Sequence, residues 1–296
     1  MPNLKEVRNR IASVSSTQQI TKAMKMVSAA KLRRAQDAII QMRPYANKLQ
    51  EILQNVSSTV DTSEGGKYAV AREVKNVLVV VVTSNRGLCG AFNMNVIKRA
   101  NYLARHEYKH CKVSVLCIGK KANDFFKKTE YSIVGTDLPK RLHELYDSLT
   151  FDNVAPVAEM VMKAFADAQF DKVEIIYNKF KNAAVQEVVT EQFLPVAPPQ
   201  SSKNTQKQSS IDYIFEPNKE SIVRDLIPKS LKIQFYKTLL DSHASEHGAR
   251  MTAMHKATDN AGTLIKELKL SYNKARQAAI TNEILEIVGG AEALKG

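Results

Sequence analysis

The last third of the chain carries an almost unbroken helical pattern from about residue 218 to residue 287. Small or apolar side chains recur in it at alternating steps of three and four residues, the spacing of a coiled-coil seam. A helix of about 70 residues spans roughly 100 Å, more than the diameter of a compact domain of this mass. It therefore needs a long partner. The seam positions are Ala244, His247, Met251, Met254, Thr258, Ala261, Ile265, Leu268, Tyr272 and Ala275.

The N-terminal residues supply that partner. Between residues 3 and 56 there is no Gly, and the only Pro is Pro44. The apolar stripe of this second helix jumps by six residues between Val14 and Ile20, so the sequence predicts that the seam slips register there. We expect the two terminal helices to pair as an antiparallel coiled coil. The stripe consists of Leu4, Val7, Ile11, Val14, Ile20, Met24, Val27, Ala35, Ile39, Met42, Ala46, Leu49, Leu53 and Val56.

The middle of the chain alternates strand and helix patterns. The continuous apolar run Val77–Val82 is typical of a parallel strand that is covered on both faces. Further strands are predicted at residues 113–118, near 132, at 173–177 and at 185–193, with helices at 120–126, 142–149 and 154–170. This order predicts an α/β fold with a Rossmann-like domain. The short connection between the last two strands predicts an antiparallel hairpin.

The composition shifts give the domain boundaries. We predict an N-terminal coiled-coil helix over residues 1–57, a linker over 58–75 and the Rossmann-like α/β domain over 76–194. A polar connector rich in Pro and Ser follows over 195–217, and the C-terminal coiled-coil helix covers 218–296.

The composition also limits the class of protein. The three cysteines are odd in number and form no CxxC pair, which favours a reducing compartment. No apolar run approaches the roughly 18 residues of a membrane span, so we expect any membrane association to be peripheral.

The N-terminal helix is strongly basic, with ten Lys or Arg residues and three acidic residues in the first 56. Such a helix can bind nucleic acid, a membrane surface or an acidic protein wall, and a plain solvated face is the alternative. No aromatic residues interleave the cluster, which argues against nucleic acid. Lys22 and Lys25 flank the flexible thioether of Met24, which suits a surface that slides past several partner surfaces.

Two short motifs resemble catalytic sites. Gly87 and Gly90 follow the first strand, but no GxGxxG or GxxxxGK pattern accompanies them, so a tight turn is favoured over a phosphate loop. His243, Glu246 and His247 match the HxxEH pattern of zinc proteases. A third protein ligand is missing, and His247 falls on the packing seam. The sequence therefore predicts no catalytic residue, cofactor or metal.

Three longer motifs carry a resemblance to a known family. They are ITKAMKMV at residues 20–27, SNRGLCG at 84–90 and ITNEILEIVGGAEA at 280–293. On these motifs the chain resembles the γ subunits of F-type ATP synthases over essentially its whole length. Asn85, Ala91 and Ser28 stand where the family usually has Asp, Gly and Ala.

The resemblance implies a role, partners and a location. The chain would be the non-catalytic central rotor shaft that couples proton flow to ATP synthesis or hydrolysis by rotation. Its partners would be the alpha and beta subunits of the catalytic head, the epsilon subunit and the membrane c-ring. A bacterial inner membrane, on the cytoplasmic side and reached through the complex, is favoured by the lack of a transit peptide. The alternative is the matrix side of a mitochondrial inner membrane.

The resemblance also implies which residues contact partners. Arg276 and Gln277 match the positions that grip a loop of the beta subunit, and Ile287 and Val288 would fit an apolar sleeve. With the basic turn they make up the predicted partner contacts, which are Lys22, Met24, Lys25, Arg276, Gln277, Ile287 and Val288.

Two other classes of protein stay open on the residues alone. A coiled-coil adaptor or chaperone would explain the long helices and the basic face, and a Rossmann-type enzyme would explain the sheet. The adaptor does not need the C-terminal motif, and the enzyme does not need the long helices.

Overall fold

The structure is a computed structural model that describes residues 4–57, 66–133, 136, 138–139, 142–196 and 219–293. Residues 58–65 of the predicted linker and nearly all of the predicted connector lie outside these residues. The chain divides into two units, one formed by residues 1–29 with 250–296 and the other by residues 30–249.

Two long helices lie at the ends of the described chain. Helix α1 spans Leu4–Ser57 and helix α5 spans Lys219–Ala293. Each contains one proline, Pro44 in α1 and Pro228 in α5. The sequence analysis did not treat Pro228 as a helix break, and α5 is helical on both sides of this residue.

A four-stranded sheet forms the centre of the second unit. Strand β1 spans Asn76–Val82, β2 Lys112–Ile118, β3 Lys172–Phe180 and β4 Gln186–Leu194. The order across the sheet is β2-β1-β3-β4, with β1 parallel to β2 and β3. Strands β3 and β4 are antiparallel, which confirms the predicted hairpin.

Helices cover both faces of this sheet, as the continuous valine run predicts. Helix α2 spans Phe92–Tyr102, α3 Lys120–Phe126 and α4 Phe151–Ala166. Alternate side chains of a strand point to opposite faces. Three from β1 pack with α4 and the first part of α5, and the other three pack with α2 and α3. The α/β fold class is therefore confirmed. The β1 side chains are Leu78, Val80 and Val82 on the first face, and Val77, Val79 and Val81 on the second.

Two predicted elements between α3 and α4 are shorter in the structure. The helix expected at 142–149 is a single 3₁₀ turn, Glu144–Tyr146, and the strand near Ser132 is one bridge to Val115. Because the first turn of an α-helix costs more than it gains, a short apolar stretch readily stops at a 3₁₀ turn.

In the first unit, α1 and α5 pair as an antiparallel coiled coil. Arg8 Nη2 donates a hydrogen bond of 2.9 Å to the Tyr272 hydroxyl. Gln18 Nε2 donates to the Thr258 carbonyl at 3.4 Å, and the Thr258 and Thr21 hydroxyl oxygens are 2.9 Å apart. Partner numbers on α5 fall as numbers on α1 rise, so the helices run in opposite directions.

The predicted slip in the α1 seam is wrong. A set of buried and partly buried positions on α1 follows steps of three and four without interruption. Ile20 and Val27, assigned to the seam from the sequence, are each 57% exposed. Polar Gln18 and Thr21 occupy the seam instead, because they find hydrogen-bond partners across the coil. The positions are Val7, Ile11, Val14, Gln18, Thr21, Lys25, Ser28, Leu32, Ala35, Ile39, Met42, Ala46 and Leu49.

The α5 seam matches its sequence pattern more closely. Every predicted position from Met251 to Ala275 is buried or partly buried. Apolar and small residues dominate this side of the coil, so the apolar period alone finds it.

Gly119, between β2 and α3, provides a stability test. Its φ is 100°, and a Cβ there would lie 2.1 Å from the carbonyl oxygen of Thr83. We expect Gly119→Ala to lower the free energy of unfolding by at least about 2 kcal/mol, because both backbone strain and the clash oppose it. Gly87→Ala is the matched control, since its nearest atom would be 3.9 Å away. Urea denaturation of the full chain measures both; equal losses would contradict the argument.

Candidate functional site

An enzyme of this fold class would bind its ligand in a crevice at one edge of the sheet. In open α/β sheets, ligands bind beyond the carboxyl ends of the strands, where the strand order reverses. Here that point lies between β1 and β3, because β2 and β3 flank β1 on opposite sides. The loop 84–90 follows β1 at this edge.

The loop is a turn that uses its own polar groups. The Ser84 amide donates to Asn93 Oδ1 at 2.9 Å, and Asn93 Nδ2 donates to Ser84 Oγ at 2.8 Å. Ser84 Oγ in turn donates to the Arg86 carbonyl at 2.6 Å. Leu88 and Gly90 have φ angles of 63° and 62°. These bonds and angles are those of a tight strand-to-helix turn, as the sequence favoured.

Helix α5 occupies the crevice. Ala249 packs with Cys89 and Phe92 in a small buried cluster. One turn earlier, Ser245 Oγ donates a hydrogen bond of 2.9 Å to the carbonyl of Asn178, near the end of β3. Protein side chains therefore lie where a Rossmann enzyme would hold its nucleotide.

The HxxEH motif lies on the same part of α5. The Nε2 atoms of His243 and His247 are 3.1 Å apart, and the Tyr146 ring stacks on His243 at 6.0 Å. Burial, with a smaller effect from the negative charge of Glu246, raises the pKa of the Tyr146 hydroxyl. His247 is buried, as its seam position predicts. Among the described residues no group of three His, Cys, Asp or Glu could hold a metal.

The closed crevice gives a direct test. We expect the purified full-length chain to bind ATP no more tightly than millimolar, because α5 fills the site and the turn offers no phosphate loop. Isothermal titration calorimetry with Mg-ATP measures this. A saturable micromolar site would contradict it.

The predicted partner contacts lie on the coiled coil. Lys22 is exposed. Lys25 is a partly buried seam position, and Met24 is partly buried beside the seam. Arg276 and Gln277 are exposed on α5.

These contacts form separate groups along α5. Thr258, which meets Thr21, marks the level of the basic turn, and Arg276 lies roughly 27 Å further along the helix. Tyr272 already meets Arg8, close to the start of α1, so α5 soon runs on without a paired helix among the described residues. Ile287 and Val288 are 68% and 54% exposed in that last stretch.

Sequence reasoning missed an apolar outer face on α1. Ile20, Met26 and Val27 are all exposed. Counting steps of three and four residues from Val14 through Gln18 would have placed Ile20 and Val27 outside the seam. On α5 the exposed Ile280 and Ile284 extend the apolar surface of the last turns.

Comparisons with known proteins agree with this architecture. The family model described as ATP synthase matches residues 3–294. The ATP synthase gamma chain of Christiangramia forsetii is 60% identical, and that of Flavobacterium psychrophilum 62%, each over the whole of both chains. A chain from the central stalk and c-ring structure of the Tetrahymena thermophila mitochondrial ATP synthase is 26% identical. It has a TM-score of 0.57 and covers 80% of this chain and 99% of that one.

A second solved structure supports the fold alone. A chain of the Euglena gracilis mitochondrial ATP synthase is 22% identical, with a TM-score of 0.65, and covers 98% of this chain and 94% of that one.

The matches over the whole chain define its class as a subunit of an ATP synthase. The chain belongs to the ATP synthase gamma chain family. The resemblance seen in the sequence is confirmed, and the enzyme and adaptor alternatives are set aside. None of the helices in the described residues is both long enough and apolar enough to cross a membrane.

Proposed function

We propose that this chain is the central rotor shaft of a membrane-associated ATP synthase, coupling proton flow to ATP synthesis or hydrolysis by rotation. The observation that carries this is the family match over residues 3–294. The antiparallel coil and the exposed end of α5 supply the physical means.

A two-stranded coil is suited to changing the conformations of subunits in a ring around it. If alpha and beta subunits alternate around it, a coil without threefold symmetry presents a different face to each beta subunit. A face that binds one beta conformation more tightly than another shifts the population of that conformation. Rotation then moves this preference from one catalytic site to the next.

We assign the first contact to the turn that contains Lys22, Met24 and Lys25. Lys22 is exposed and Lys25 is partly buried, so their charges are available to an acidic wall of the head. Met24 is unbranched and polarisable, and it adapts to several surfaces at small cost. Exposed Ile20 and Val27 lie four and three residues from Met24, so they extend the apolar surface on the Met24 side of α1.

We assign the second contact to Arg276 and Gln277. The Arg side chain offers five donors in a fixed fork, and Gln offers two donors and an acceptor. Both are exposed near the level where α1 begins. A hydrogen bond to a charged group contributes roughly 1.5 to 3 kcal/mol, enough to bias one beta conformation without locking the rotor.

We assign the contact with an apolar sleeve to the last turns of α5. Ile287 and Val288 are exposed, and the following glycines, Gly289 and Gly290, have no atoms near their missing Cβ positions. A smooth apolar end forms few hydrogen bonds that must break when it turns inside an apolar sleeve.

The remaining partners follow from the same role. We propose that the epsilon subunit and the c-ring join the chain on the side of the α/β domain. The complex would hold the chain peripherally at the cytoplasmic side of a bacterial inner membrane. Nucleic acid is not among the proposed partners, and no cofactor or metal is proposed.

The assembled complex tests the Arg276 and Gln277 contact. We expect Arg276→Ala with Gln277→Ala to slow ATP hydrolysis at least about fivefold, which corresponds to roughly 1 kcal/mol. Assembly should persist, because both side chains are exposed and the seam is untouched. Turnover and subunit stoichiometry of the reconstituted complex are measured together.

The matched control is Asn273→Ala with Lys274→Ala, two exposed residues one turn earlier on the same helix. It should hydrolyse ATP at a rate close to wild type. Unchanged turnover in the Arg276 and Gln277 variant, equal slowing in the control, or loss of assembly would each argue against the assignment.

A further inference from the structure

A polar layer with hydrogen bonds between the two helices lies in the seam of the first unit. Gln18 and Thr21 of α1 face Thr258 of α5, with one hydrogen bond of 3.4 Å and a hydroxyl contact of 2.9 Å between the helices. Thr21 is buried and Thr258 partly buried. A polar layer in a coiled coil costs some stability but specifies how the helices align.

The hydroxyl pair is satisfied in either direction of donation. Thr258 can donate to Thr21, which then donates to the Gln18 carbonyl at 3.0 Å. Alternatively Thr21 donates to Thr258, which then donates to the Met254 carbonyl at 2.8 Å. Either arrangement keeps a bond between the helices and leaves neither proton unused.

Gly262 completes the layer. A Cβ at this position would lie 3.0 Å from Gln18 Nε2. The missing side chain therefore gives the Gln18 amide the space to lie against α5. A slide of three residues would instead bring Gln18 against Asp259 or Ile265, which both have side chains.

The rest of the seam resists sliding poorly. Within this unit its α1 positions alternate at steps of three and four from Val7 to Ser28 without a break. A slide of three or four residues, about 5 Å, therefore moves each apolar position onto the next and keeps most apolar contacts. Apolar packing does not depend on direction, so it penalises such a slide only weakly.

We propose that Gln18, Thr21 and Thr258, with the space at Gly262, form a register lock that fixes the axial alignment of α1 and α5 in this unit. Sliding would break both cross-helix bonds and bury their polar groups against apolar side chains. An unpaired buried polar group is unfavourable, while apolar contacts could be re-formed after the slide. The polar layer thus determines the axial alignment of the two helices, and the apolar side chains of the seam stabilise their association.

The test separates alignment from stability. Thr21→Val with Thr258→Val keeps the side-chain shape and removes both hydroxyls. Because both partners are replaced together, the thermal midpoint of the full-length chain should stay within about 4 °C of wild type. Spin labels on ketone-bearing amino acids at Arg10 and Lys256, both exposed, report the alignment by electron–electron double resonance. These labels leave the three native cysteines in their natural form.

In the wild type, the two labels should give one narrow distance. The variant with Thr21→Val and Thr258→Val should also give a second distance, which differs from the first by about 5 Å. Thr21→Ser with Thr258→Ser restores the hydroxyls and should return the single distance. Thr263→Val is the matched control, because the exposed Thr263 bonds only within its own helix, to the Asp259 carbonyl at 3.3 Å. It too should keep one distance.

One narrow distance in the double Val variant would overturn the lock, whatever its thermal midpoint. A fall in the midpoint with the distance unchanged would assign these residues to stability alone. Two distances in the Thr263→Val control would also overturn it, because any loss of a threonine hydroxyl would then have the same effect.

Discussion

The structure depends on one packing seam between two helices that are far apart in sequence. Side chains at steps of three and four on α1 meet the same spacing on α5, and the contacts from Arg8 with Tyr272 to Thr21 with Thr258 set the antiparallel direction. Neither helix could remain folded at this length by propensity alone, because most helical stability in proteins comes from tertiary packing. The seam is therefore what allows a single chain to provide a long two-stranded element.

The same helix that forms the seam also closes the α/β domain. Ser245 and Ala249 of α5 lie at the carboxyl edge of the sheet, against Asn178 and the loop after β1. A sheet of this topology usually keeps that edge for a ligand. Here the edge serves as an anchor for the helix, which explains how a Rossmann-like domain can belong to a non-catalytic subunit.

How much the sequence could predict depended on whether each residue's partner was visible in the pattern. The valines of β1 and the seam of α5 were found because apolar period reports burial directly. Gln18 and Thr21 were missed, because a polar residue at a seam position is recognised only when its partner across the coil is known. Ile20 and Val27 were wrongly assigned to the seam because they are apolar. Both are exposed, so at these positions apolar character does not indicate packing within the chain. The packing of α5 at the crevice was also not predicted, because no residue pattern in α5 or in the loop after β1 indicates that the two meet.

The exposed apolar side chains in the last turns of α5 affect the stability of the subunit before it assembles. Ile280, Ile284, Leu285, Ile287 and Val288 are all exposed, on a stretch of helix without a paired helix in the described residues. A short helix without tertiary contacts is marginal in water, and a contiguous apolar patch attracts other apolar surfaces. A newly made copy would thus be open at this end to proteases and to self-association until a partner covers it. Partner binding would stabilise the ordered end by mass action, so the supply of partner subunits would set how many copies survive in the cell.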